Sequence, residues 1–462
     1  MHRKKSKKVQ AVSTGISELD KLLGGGYRPH STILVSGNPG SGKTIFCTQF
    51  LYAGCKGGEK GLYVAFAETQ EDYFANTLQL NMDMESFSEK GLFKFMDFPT
   101  MDEDAMKEAV ETIIKEIYEF SPKRLVVDSI SAITQTLGST GTRQFLHVLF
   151  GRLVKDMGIT SILVGEIPMG KSNTGFGVEE FVVDAVILLK YRKFKNIEKR
   201  ELEIRKMRGV AIGRSTFEYM IDARYNGMGL IALPEKTDIM TVSNEKMTTG
   251  IKGLDRMTHG GVFRDSLTLV EGSAGIGKTT LCLQFLINNA QKGEKALFLS
   301  FEEPIGQIRR LLDGYNIDYS KLGDRFNVET YVPEAFTPLQ YYGLVRQVLE
   351  DLTPTVLAID SITAVQHTLR DEDFIEFMRY LQILCKERQL TVFVTAVLGS
   401  FNDSGSTGIS SLADNIIVMR YYEMKDRMAR EIVILKTRSS PHENRIMTFD
   451  ITDRGMNIPI LE

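Results

Sequence analysis

Several features are scarce in this sequence of 462 residues, and each scarcity excludes a class of protein. No segment approaches the ~18 consecutive apolar residues of a membrane-spanning helix, so a membrane protein is not expected. The formal net charge of -3 argues against a protein whose main surface is a nucleic-acid groove. The few cysteines are scattered, which excludes a disulfide framework and a cysteine metal site: Cys47, Cys55, Cys282 and Cys385. They are predicted to be small core residues of a cytoplasmic protein.

The start of the chain and its length set the domain organisation that we expect. A basic run from His2 to Lys8 is followed by no apolar segment, so it is not a secretory signal. Residues 1–10 are therefore predicted to be a disordered basic tail. The remaining length suits two domains of ~200 residues, predicted at 11–235 and 247–462, with a linker at 236–246 just after Pro234.

Two phosphate-binding loops of one type occupy equivalent places in two copies of a longer sequence. Both fit the pattern G-x-x-x-x-G-K-[ST], in which backbone N–H groups and a lysine bind phosphates. The copies align without a gap from Thr14 to Glu68 and from Thr249 to Glu303. This duplication predicts two nucleotide-binding domains in tandem. The predicted nucleotide-binding residues are Gly37, Asn38, Pro39, Gly40, Ser41, Gly42, Lys43 and Thr44, and in the second copy Gly272, Ser273, Ala274, Gly275, Ile276, Gly277, Lys278, Thr279 and Thr280.

The pattern around each loop predicts an α/β fold with a mostly parallel sheet. A short apolar strand precedes each loop, a helix with periodic apolar residues follows it, and a second strand comes next, which makes a βαβ unit. A later apolar run in each copy ends in Asp-Ser, at Asp128 and at Asp360, and further alternation of helix and strand is expected after it. We therefore expect two P-loop domains, each with helices on both faces of its sheet.

The loop residues and the strand-end acids predict a site for a nucleoside triphosphate and Mg²⁺. The two loop lysines supply positive charge at the β- and γ-phosphates. The predicted magnesium residues are Thr44, Asp128, Thr279 and Asp360. Hydrolysis also needs a group that activates the attacking oxygen, and three acids follow the second strand: Glu68, Glu302 and Glu303. Ala67 stands where the second copy has Glu302, so Glu68 alone is expected to hold the attacking water in the first domain.

The combination of motifs resembles the KaiC family of RecA-like ATPases. It comprises the opening T-G-I-x-x-L-D of each copy, both loops, Phe301-Glu302-Glu303, the two Asp-Ser pairs and a late K-x-R in each copy. The resemblance covers the chain from about Val12 to about Ile458, and it implies two RecA-like domains, ATP as the nucleotide and a homohexamer. It also implies contacts to the ATP of the neighbouring subunit from Lys206, Arg208, Lys436 and Arg438. Cations delivered in this way stabilise the charge that spreads over the phosphoryl oxygens during transfer.

The same resemblance implies autophosphorylation in the second domain. The family carries an adjacent Ser-Thr pair there, and this chain has Ser410-Ser411. The first copy has Glu179-Glu180 at the matching place, and a carboxylate cannot form a stable phosphate ester. We therefore expect serine/threonine kinase activity on Ser410 or Ser411 only, with Glu302 as the base that removes the hydroxyl proton.

The function expected from these residues is that of a hexameric ATPase and autokinase acting as a signalling or timing switch. A KaiB-like or other signalling protein is the class of partner that the resemblance admits. Two alternatives use the same fold. A DNA-acting recombinase or helicase needs basic loops along the ring channel, which the composition does not offer, so nucleic acid is not the expected partner. A scaffold gated by nucleotide fits Ala67 in the first domain, but the Glu302-Glu303 pair argues against it for the second.

Overall fold

Each predicted loop lies between a buried strand and a helix. The short apolar runs of the sequence form the central strands of both domains. The computed structural model describes residues 11–98, 103–148, 150, 154–167, 183–194, 197–210, 215–231, 243–315, 319–333, 336–397 and 412–459. The chain divides into two units, Met1–Ala232 and Leu233–Glu462. The predicted basic tail and most of the predicted linker lie outside the described residues, so the domain boundaries drawn from the sequence stay predictions.

The first unit alternates strands and helices and then ends in a run of strands. Its strands are β1 (Thr32–Gly37), β2 (Gly61–Ala65), β3 (Phe93–Asp97), β4 (Arg124–Asp128), β5 (Thr160–Glu166), β6 (Ala185–Phe194), β7 (Ile197–Met207), β8 (Thr216–Asp222) and β9 (Gly227–Ile231). Its helices are α1 (Ser17–Leu22), α2 (Lys43–Lys56), α3 (Gln70–Leu78), α4 (Met84–Glu89), α5 (Glu103–Phe120), α6 (Ile130–Val148, interrupted at Gly138) and α7 (Val154–Asp156), and a 3₁₀ turn spans Ala223–Tyr225.

The second unit repeats this succession. Its strands are β10 (Lys246–Met247), β11 (Val262–Phe263), β12 (Leu267–Gly272), β13 (Ala296–Ser300), β14 (Phe326–Thr330), β15 (Val356–Asp360), β16 (Thr391–Val397), β17 (Asn415–Met424), β18 (Arg427–Thr437), β19 (Met447–Thr452) and β20 (Gly455–Asn457). Its helices are α8 (Lys252–Met257), α9 (Lys278–Gln291), α10 (Ile305–Gly314), α11 (Pro338–Leu352), α12 (Ile362–Gln366) and α13 (Asp371–Glu387), with a 3₁₀ segment at Tyr319–Arg325.

The large sheets of the two units have the same strand order, with the loop-bearing strand near the centre. Among the described residues the orders are β3-β2-β4-β5-β1-β6-β7-β8-β9 and β14-β13-β15-β16-β12-β17-β18-β19-β20. In the first order the strands from β3 as far as β6 are parallel to their neighbours, and in the second order the same holds from β14 as far as β17. Apolar side chains pack on both faces of the first sheet, with Val35 in one cluster and Leu34 in the other. The prediction of two mostly parallel, helix-flanked α/β domains is confirmed.

The end of each domain differs from the alternation of helix and strand that the sequence predicts. After β6 and β17 the described strands pair antiparallel with their neighbours along the chain. The middle of β7 explains the difference, because the buried residues Leu202 and Ile204 alternate there with charged residues from Glu201 to Arg205. Such alternation is typical of antiparallel strands with one face in the core and the other in water.

The opening motif of each copy has a structural role. Asp20 Oδ1 accepts a hydrogen bond from the N–H of Thr14 at 2.7 Å, and Asp255 Oδ1 accepts one from the N–H of Thr249 at 2.6 Å. Between Thr14 and Asp20, Gly15 approaches α2 so closely that an added Cβ would lie only 2.2 Å from a backbone oxygen. The motif therefore fixes the first helix against the helix that follows the loop.

All four cysteines are buried and free, as the sequence predicts. They lie on the helices that pack against the sheets: Cys47 and Cys55 on α2, Cys282 on α9 and Cys385 on α13. Burial raises the pKa of Cys55 to about 11 and the pKa of Cys385 to about 12. Burial also raises the pKa of Cys47 and of Cys282 well above the usual range of a thiol.

Candidate functional site

A glycine in the left-handed conformation ends each loop. Gly42 and Gly277 have φ angles of 83° and 117°, immediately before the lysine that opens the helix. A Cβ added at either position would lie 2.6 Å from Ile221 Cδ1 or 2.5 Å from Ile451 Cδ1, so the end of that isoleucine side chain would have to shift. The turn places the end of the loop at a helix N-terminus, where backbone N–H groups can bind an anion.

The strand next to each loop holds the loop in place. The side chain of Asn38 donates to the carbonyl of Tyr191 and accepts from the N–H of Tyr191, each at 2.8 Å. In the second domain the hydroxyl of Tyr421, at the equivalent place on β17, donates to the carbonyl of Gly275 at 2.9 Å. Both loops are thus fixed by the same strand position through different bonds.

The loop lysines bend over their own loops. Lys43 Nζ donates to the carbonyl oxygens of Gly37 and Asn38, at 3.0 and 3.4 Å. Lys278 Nζ makes the matching pair of bonds at 2.9 and 3.0 Å. Burial lowers the pKa of Lys278, and the charge of Asp360 opposes that effect. Each ammonium group therefore lies within the turn, where it can exchange carbonyl oxygens for phosphate oxygens.

The strand-end aspartates face the threonines that follow the loop lysines. Thr44 Oγ1 donates to Asp128 Oδ2 at 3.4 Å, and Thr279 Oγ1 donates to Asp360 Oδ2 at 2.6 Å. Burial raises the pKa of both carboxyl groups, and their hydrogen bonds oppose that rise. Within the described ranges, no three His, Cys, Asp or Glu side chains come together as a metal site. The threonine–aspartate pairs fit a magnesium ion whose other ligands are phosphate oxygens and water.

The two domains hold their strand-end aspartate through different partners, which the sequence analysis missed. In the first domain the hydroxyl of Tyr63 on β2 donates to Asp128 Oδ2 at 2.7 Å. In the second, the hydroxyl of Thr395 on β16 donates to Asp360 Oδ1. The one available signal was a polar residue inside a strand that is otherwise apolar, as Thr395 is in its strand.

The one candidate for proton transfer in the first domain, Glu68, lies just after β2. Glu68 is half-buried, and Oε1 accepts a hydrogen bond from the side-chain amide of Asn76 at 3.1 Å. Burial raises the pKa of Glu68, the bond from Asn76 opposes that rise, and the negative charge of Asp128 adds to it. A carboxylate with this environment is suited to take up a proton near the loop.

The acid pair of the second domain is held by a serine that the sequence analysis also missed. Ser300 Oγ accepts from the N–H of Glu302 at 3.3 Å and from the N–H of Glu303 at 2.9 Å, and it donates to the carbonyl of Glu303 at 2.8 Å. Burial raises the pKa of Glu303, and the charges of Asp360 and Glu302 raise it further. The first domain has Ala65 at the place of Ser300, so it lacks both this hydroxyl and one of the acids.

The K-x-R pair of the first domain lies near the start of the central strand β1, whereas the loop follows the end of that strand. Lys206 Nζ donates to the carbonyl of Val183 at 2.8 Å, and Arg208 NH1 donates to Asp184 Oδ1 at 3.2 Å. The carboxylate of Asp184 also accepts from the N–H of Thr32, the first residue of β1. The loop begins only after the last residue of β1, about 17 Å further along the strand. These cations therefore cannot reach the phosphates of a nucleotide bound to their own loop.

The second domain repeats that placement. Lys436 Nζ donates to the carbonyl of Ala413 at 2.7 Å, and Arg438 NH1 donates to Asp414 Oδ1 at 3.3 Å. The other oxygen of Asp414 accepts from the N–H of Leu267 at the start of β12. The structure thus brings together the loop, lysine, threonine and aspartate of each domain and keeps the K-x-R pair apart from them.

The serines predicted to be phosphorylated, Ser410 and Ser411, lie outside the described residues, as do Glu179 and Glu180. Their assignment stays a prediction. No helix within the described ranges is long and apolar enough to cross a bilayer.

Comparison with known proteins supplies the family. A family model whose description reads "ATPase: KaiC" matches residues 12–233 and 247–461. The chain belongs to the KaiC family. The resemblance inferred from the motifs is thereby confirmed, and both matched ranges of this KaiC-family chain contain a loop, a strand-end aspartate and a K-x-R pair.

Curated KaiC proteins match almost the whole chain. The circadian clock oscillator protein KaiC of Thermostichus vulcanus is 30% identical over 470 residues, which cover 98% of this chain and 90% of that protein. The circadian clock protein KaiC3 of Synechocystis sp. is 29% identical over 467 residues, covering 97% of this chain and 92% of its own. The KaiC of Prochlorococcus marinus subsp. pastoris is 29% identical over 470 residues, covering 97% and 91%.

Proposed function

We propose that this KaiC-family protein is a cytoplasmic, homohexameric ATPase and serine autokinase that acts as a signalling or timing switch. The observation that carries the proposal is the separation of the two halves of a phosphoryl-transfer site within each domain. The loop lies at one end of the central strand and the K-x-R pair at the other. A closed ring brings the cations of one subunit to the loop of the next, and the timing role is supported by the relatives named as clock proteins.

Within each site the loop residues hold the triphosphate of ATP. The loop N–H groups and Lys43 or Lys278 bind the β- and γ-phosphates, and the threonine–aspartate pairs hold magnesium. Bound magnesium neutralises charge on the phosphate oxygens during transfer. The lysine and arginine of the neighbouring subunit stabilise the negative charge that develops on the transferred group.

The acids supply proton transfer, and they differ between the domains. In the second domain Glu302 removes the proton of a serine hydroxyl, and Glu303 orients water for hydrolysis. In the first domain Glu68 is the one acid in this place, so slow hydrolysis is expected there. Ala67 and Ala65 also favour a second candidate role for the first domain, which is to hold ATP and keep the ring assembled.

The shared site is tested by mixing two inactive variants. Lys43→Ala removes the loop cation of the first domain, and Arg208→Ala removes the cation offered to the neighbour, both in a Lys278→Ala background that silences the second loop. Alone, each variant should hydrolyse ATP only at a low residual rate. In an equal mixture about a quarter of the interfaces, a half multiplied by a half, combine an intact loop with an intact arginine, so activity should return.

The contrary result would be decisive. If the mixture stays as inactive as its components while light scattering shows mixed hexamers, the arginine does not act across the boundary. If a magnesium-supplied monomer hydrolyses ATP at the full rate without assembling, the hexameric site is wrong altogether.

The kinase activity is tested by phosphopeptide mass spectrometry after incubation with Mg-ATP. We expect phosphate on Ser410 or Ser411 in the native sequence and none after Glu302→Gln, because the hydroxyl then has no base. Glu68→Gln is the matched control, since it changes an acid at the corresponding place of the first domain, leaves both loops intact and should leave the phosphate in place. Absence of phosphate from both serines in the native protein would contradict the proposal.

The role of Glu68 is tested by Glu68→Gln in the Lys278→Ala background. The ATPase rate that remains in that background should fall, because the amide cannot take up a proton. An unchanged rate would exclude Glu68 and favour the assembly role.

A KaiB-like signalling protein is the partner class that we propose, and co-elution with such a protein in the presence of Mg-ATP is the measurement.

A further inference from the structure

An aspartate holds the K-x-R arginine of the first domain, and its two carboxylate oxygens have different partners. Asp184 Oδ1 accepts from Arg208 NH1 at 3.2 Å, and the N–H of Arg208 donates to the carbonyl of Asp184 at 3.1 Å. Asp184 Oδ2 accepts from the N–H of Thr32 at 3.2 Å, and the N–H of Asp184 donates to the carbonyl of Thr32 at 2.8 Å. One residue therefore joins the arginine to the start of the strand that carries the loop.

The second domain has the same four bonds. Asp414 Oδ1 accepts from Arg438 NH1 at 3.3 Å, and the N–H of Arg438 donates to the carbonyl of Asp414 at 2.9 Å. Asp414 Oδ2 accepts from the N–H of Leu267 at 3.0 Å, whose carbonyl accepts from the N–H of Asp414 at 2.8 Å. Recurrence of the whole arrangement in both copies indicates a role beyond chance packing.

We propose that Asp184 and Asp414 are positioning residues for the arginines that act on the ATP of the neighbouring subunit. The inference rests on the proposed function. An arginine side chain on a strand end would otherwise sample many rotamers, and a misplacement of about 1 Å can cost about a hundredfold in rate. A carboxylate that is itself bonded to the sheet fixes the guanidinium at one place on the sheet edge.

The bond to aspartate leaves the arginine able to reach a phosphate. The side chain of Arg208 is 55% exposed and that of Arg438 is 44% exposed, whereas the aspartates are 19% and 17% exposed. A guanidinium has five N–H donors, so one bond to Asp184 leaves donors for an incoming phosphoryl group. The aspartate is thus the less exposed member of each pair, and the arginine faces outward.

The first domain also has room beside this arginine. A cavity of about 230 Å³ is lined by Arg208 and Asp184 together with Arg28, His30 and Lys155. Lys155 Nζ lies 3.4 Å from Asp184 Oδ2, so the single carboxylate is shared by two cations. The surplus of positive charge around the cavity suits the approach of phosphate groups from a neighbouring subunit.

The test is Asp184→Asn in the full-length Lys278→Ala background. The asparagine oxygen still accepts from the N–H of Thr32, but the neutral amide no longer anchors the arginine charge. We expect kcat for ATP to fall by about tenfold to a hundredfold. The KM for ATP should change by less than about twofold, because the loop that binds ATP is intact. Hexamer formation with Mg-ATP, measured by light scattering, should persist.

Glu116→Gln is the matched control. Glu116 Oε2 lies 2.7 Å from Lys94 Nζ, and the Glu116 side chain is 15% exposed. The substitution therefore removes an ion pair whose carboxylate is about as exposed as that of Asp184, in a distant part of the same domain. This variant should keep the kcat of the background. A second comparison adds Asp184→Asn to Arg208→Ala, where no further loss of kcat is expected because the arginine to be positioned is already gone.

The outcomes separate the inference from the function on which it rests. If Arg208→Ala leaves kcat unchanged, the proposed site across the subunit boundary fails. If Arg208→Ala lowers kcat but Asp184→Asn does not, or if Asp184→Asn lowers it equally in the Arg208→Ala background, positioning by Asp184 is overturned.

The second domain supplies an independent arm should Asp184→Asn fail to fold. Asp414→Asn in a Lys43→Ala background should slow phosphate incorporation into the second domain by a similar factor without weakening ATP binding. Full-rate incorporation, with Arg438→Ala slow in parallel, would overturn the inference.

Discussion

Adding one methyl group to the first loop tests how far the backbone of Gly42 is constrained. Gly42 has a φ of 83°, and an added Cβ would lie 2.6 Å from Ile221 Cδ1. Gly42→Ala therefore combines a left-handed alanine, which costs roughly 1–2 kcal/mol, with overpacking worth about 1–3 kcal/mol. We expect the free energy of unfolding to fall by about 2–5 kcal/mol. The affinity for ATP should fall as well, because both the backbone strain and the contact arise within the loop that binds the phosphates.

Two variants separate the free-energy cost of the left-handed backbone from the cost of the contact with Ile221. Gly58 has a φ of 79°, similar to that of Gly42, but no atom lies within 4 Å of an added Cβ. Gly58→Ala should therefore cost only about 1–2 kcal/mol and leave the affinity for ATP unchanged. Ile221→Val removes the methyl group that the Cβ added by Gly42→Ala would meet, so combining the two substitutions should restore part of the stability and of the affinity.

The assay is urea unfolding of the full-length chain followed by circular dichroism, with ATP affinity measured by calorimetry. The second domain is identical in all variants, so differences between them report on the first. The reasoning is refuted if Gly42→Ala destabilises no more than Gly58→Ala does. It is equally refuted if Ile221→Val recovers nothing in the double variant.

Three further predictions follow from the contacts. The pKa values of Glu68 and Glu303 are raised, so both carboxylates take up protons at a higher pH than an ordinary glutamate does. The acid limb of the ATPase pH profile should therefore lie at a higher pH than usual, and a limb at the ordinary position would contradict this. Ser300→Ala, in a Lys43→Ala background, should lower kcat with little change in KM for ATP, since it frees the acid pair but not the loop. Arg124→Ala removes bonds to Glu59 and to two carbonyls, and it should cost about 2–4 kcal/mol in urea unfolding because both carbonyl oxygens lose their bond from the guanidinium; a loss below about 1 kcal/mol would contradict this reasoning.

The sequence predicted those parts of the site that are local in the chain. The loop is a contiguous motif whose glycines and lysine act within a few residues, and the strand-end aspartates follow apolar runs that can only be buried strands. The fold class followed from the same runs, because a strand, a helix and a strand in succession require a parallel pair. Because each of these patterns occurs in both copies of the sequence, no interpretation depends on one occurrence alone.

The parts that could not be predicted depend on strand pairing. Tyr63 and Thr395 reach their aspartates from different strands, and apart from the polarity of Thr395 within its strand nothing in the sequence marks either residue. Asp184 immediately precedes the strand beside β1 but lies far from Thr32 along the chain, so only the sheet shows that they are joined. Alignment of the two copies would have flagged one of these cases, because Asp184 and Asp414 stand at equivalent distances before their K-x-R pairs.

The four buried thiols make this chain suitable for labelling at a single chosen site. Maleimide reagents attack the thiolate, and burial together with raised pKa values leaves the native cysteines almost unreactive. A cysteine introduced at an exposed position such as Tyr118, which is 58% exposed, would then be the main point of attachment for a dye. Energy transfer between donor- and acceptor-labelled subunits of the proposed hexamer could follow subunit exchange in real time, with every native residue of the core retained.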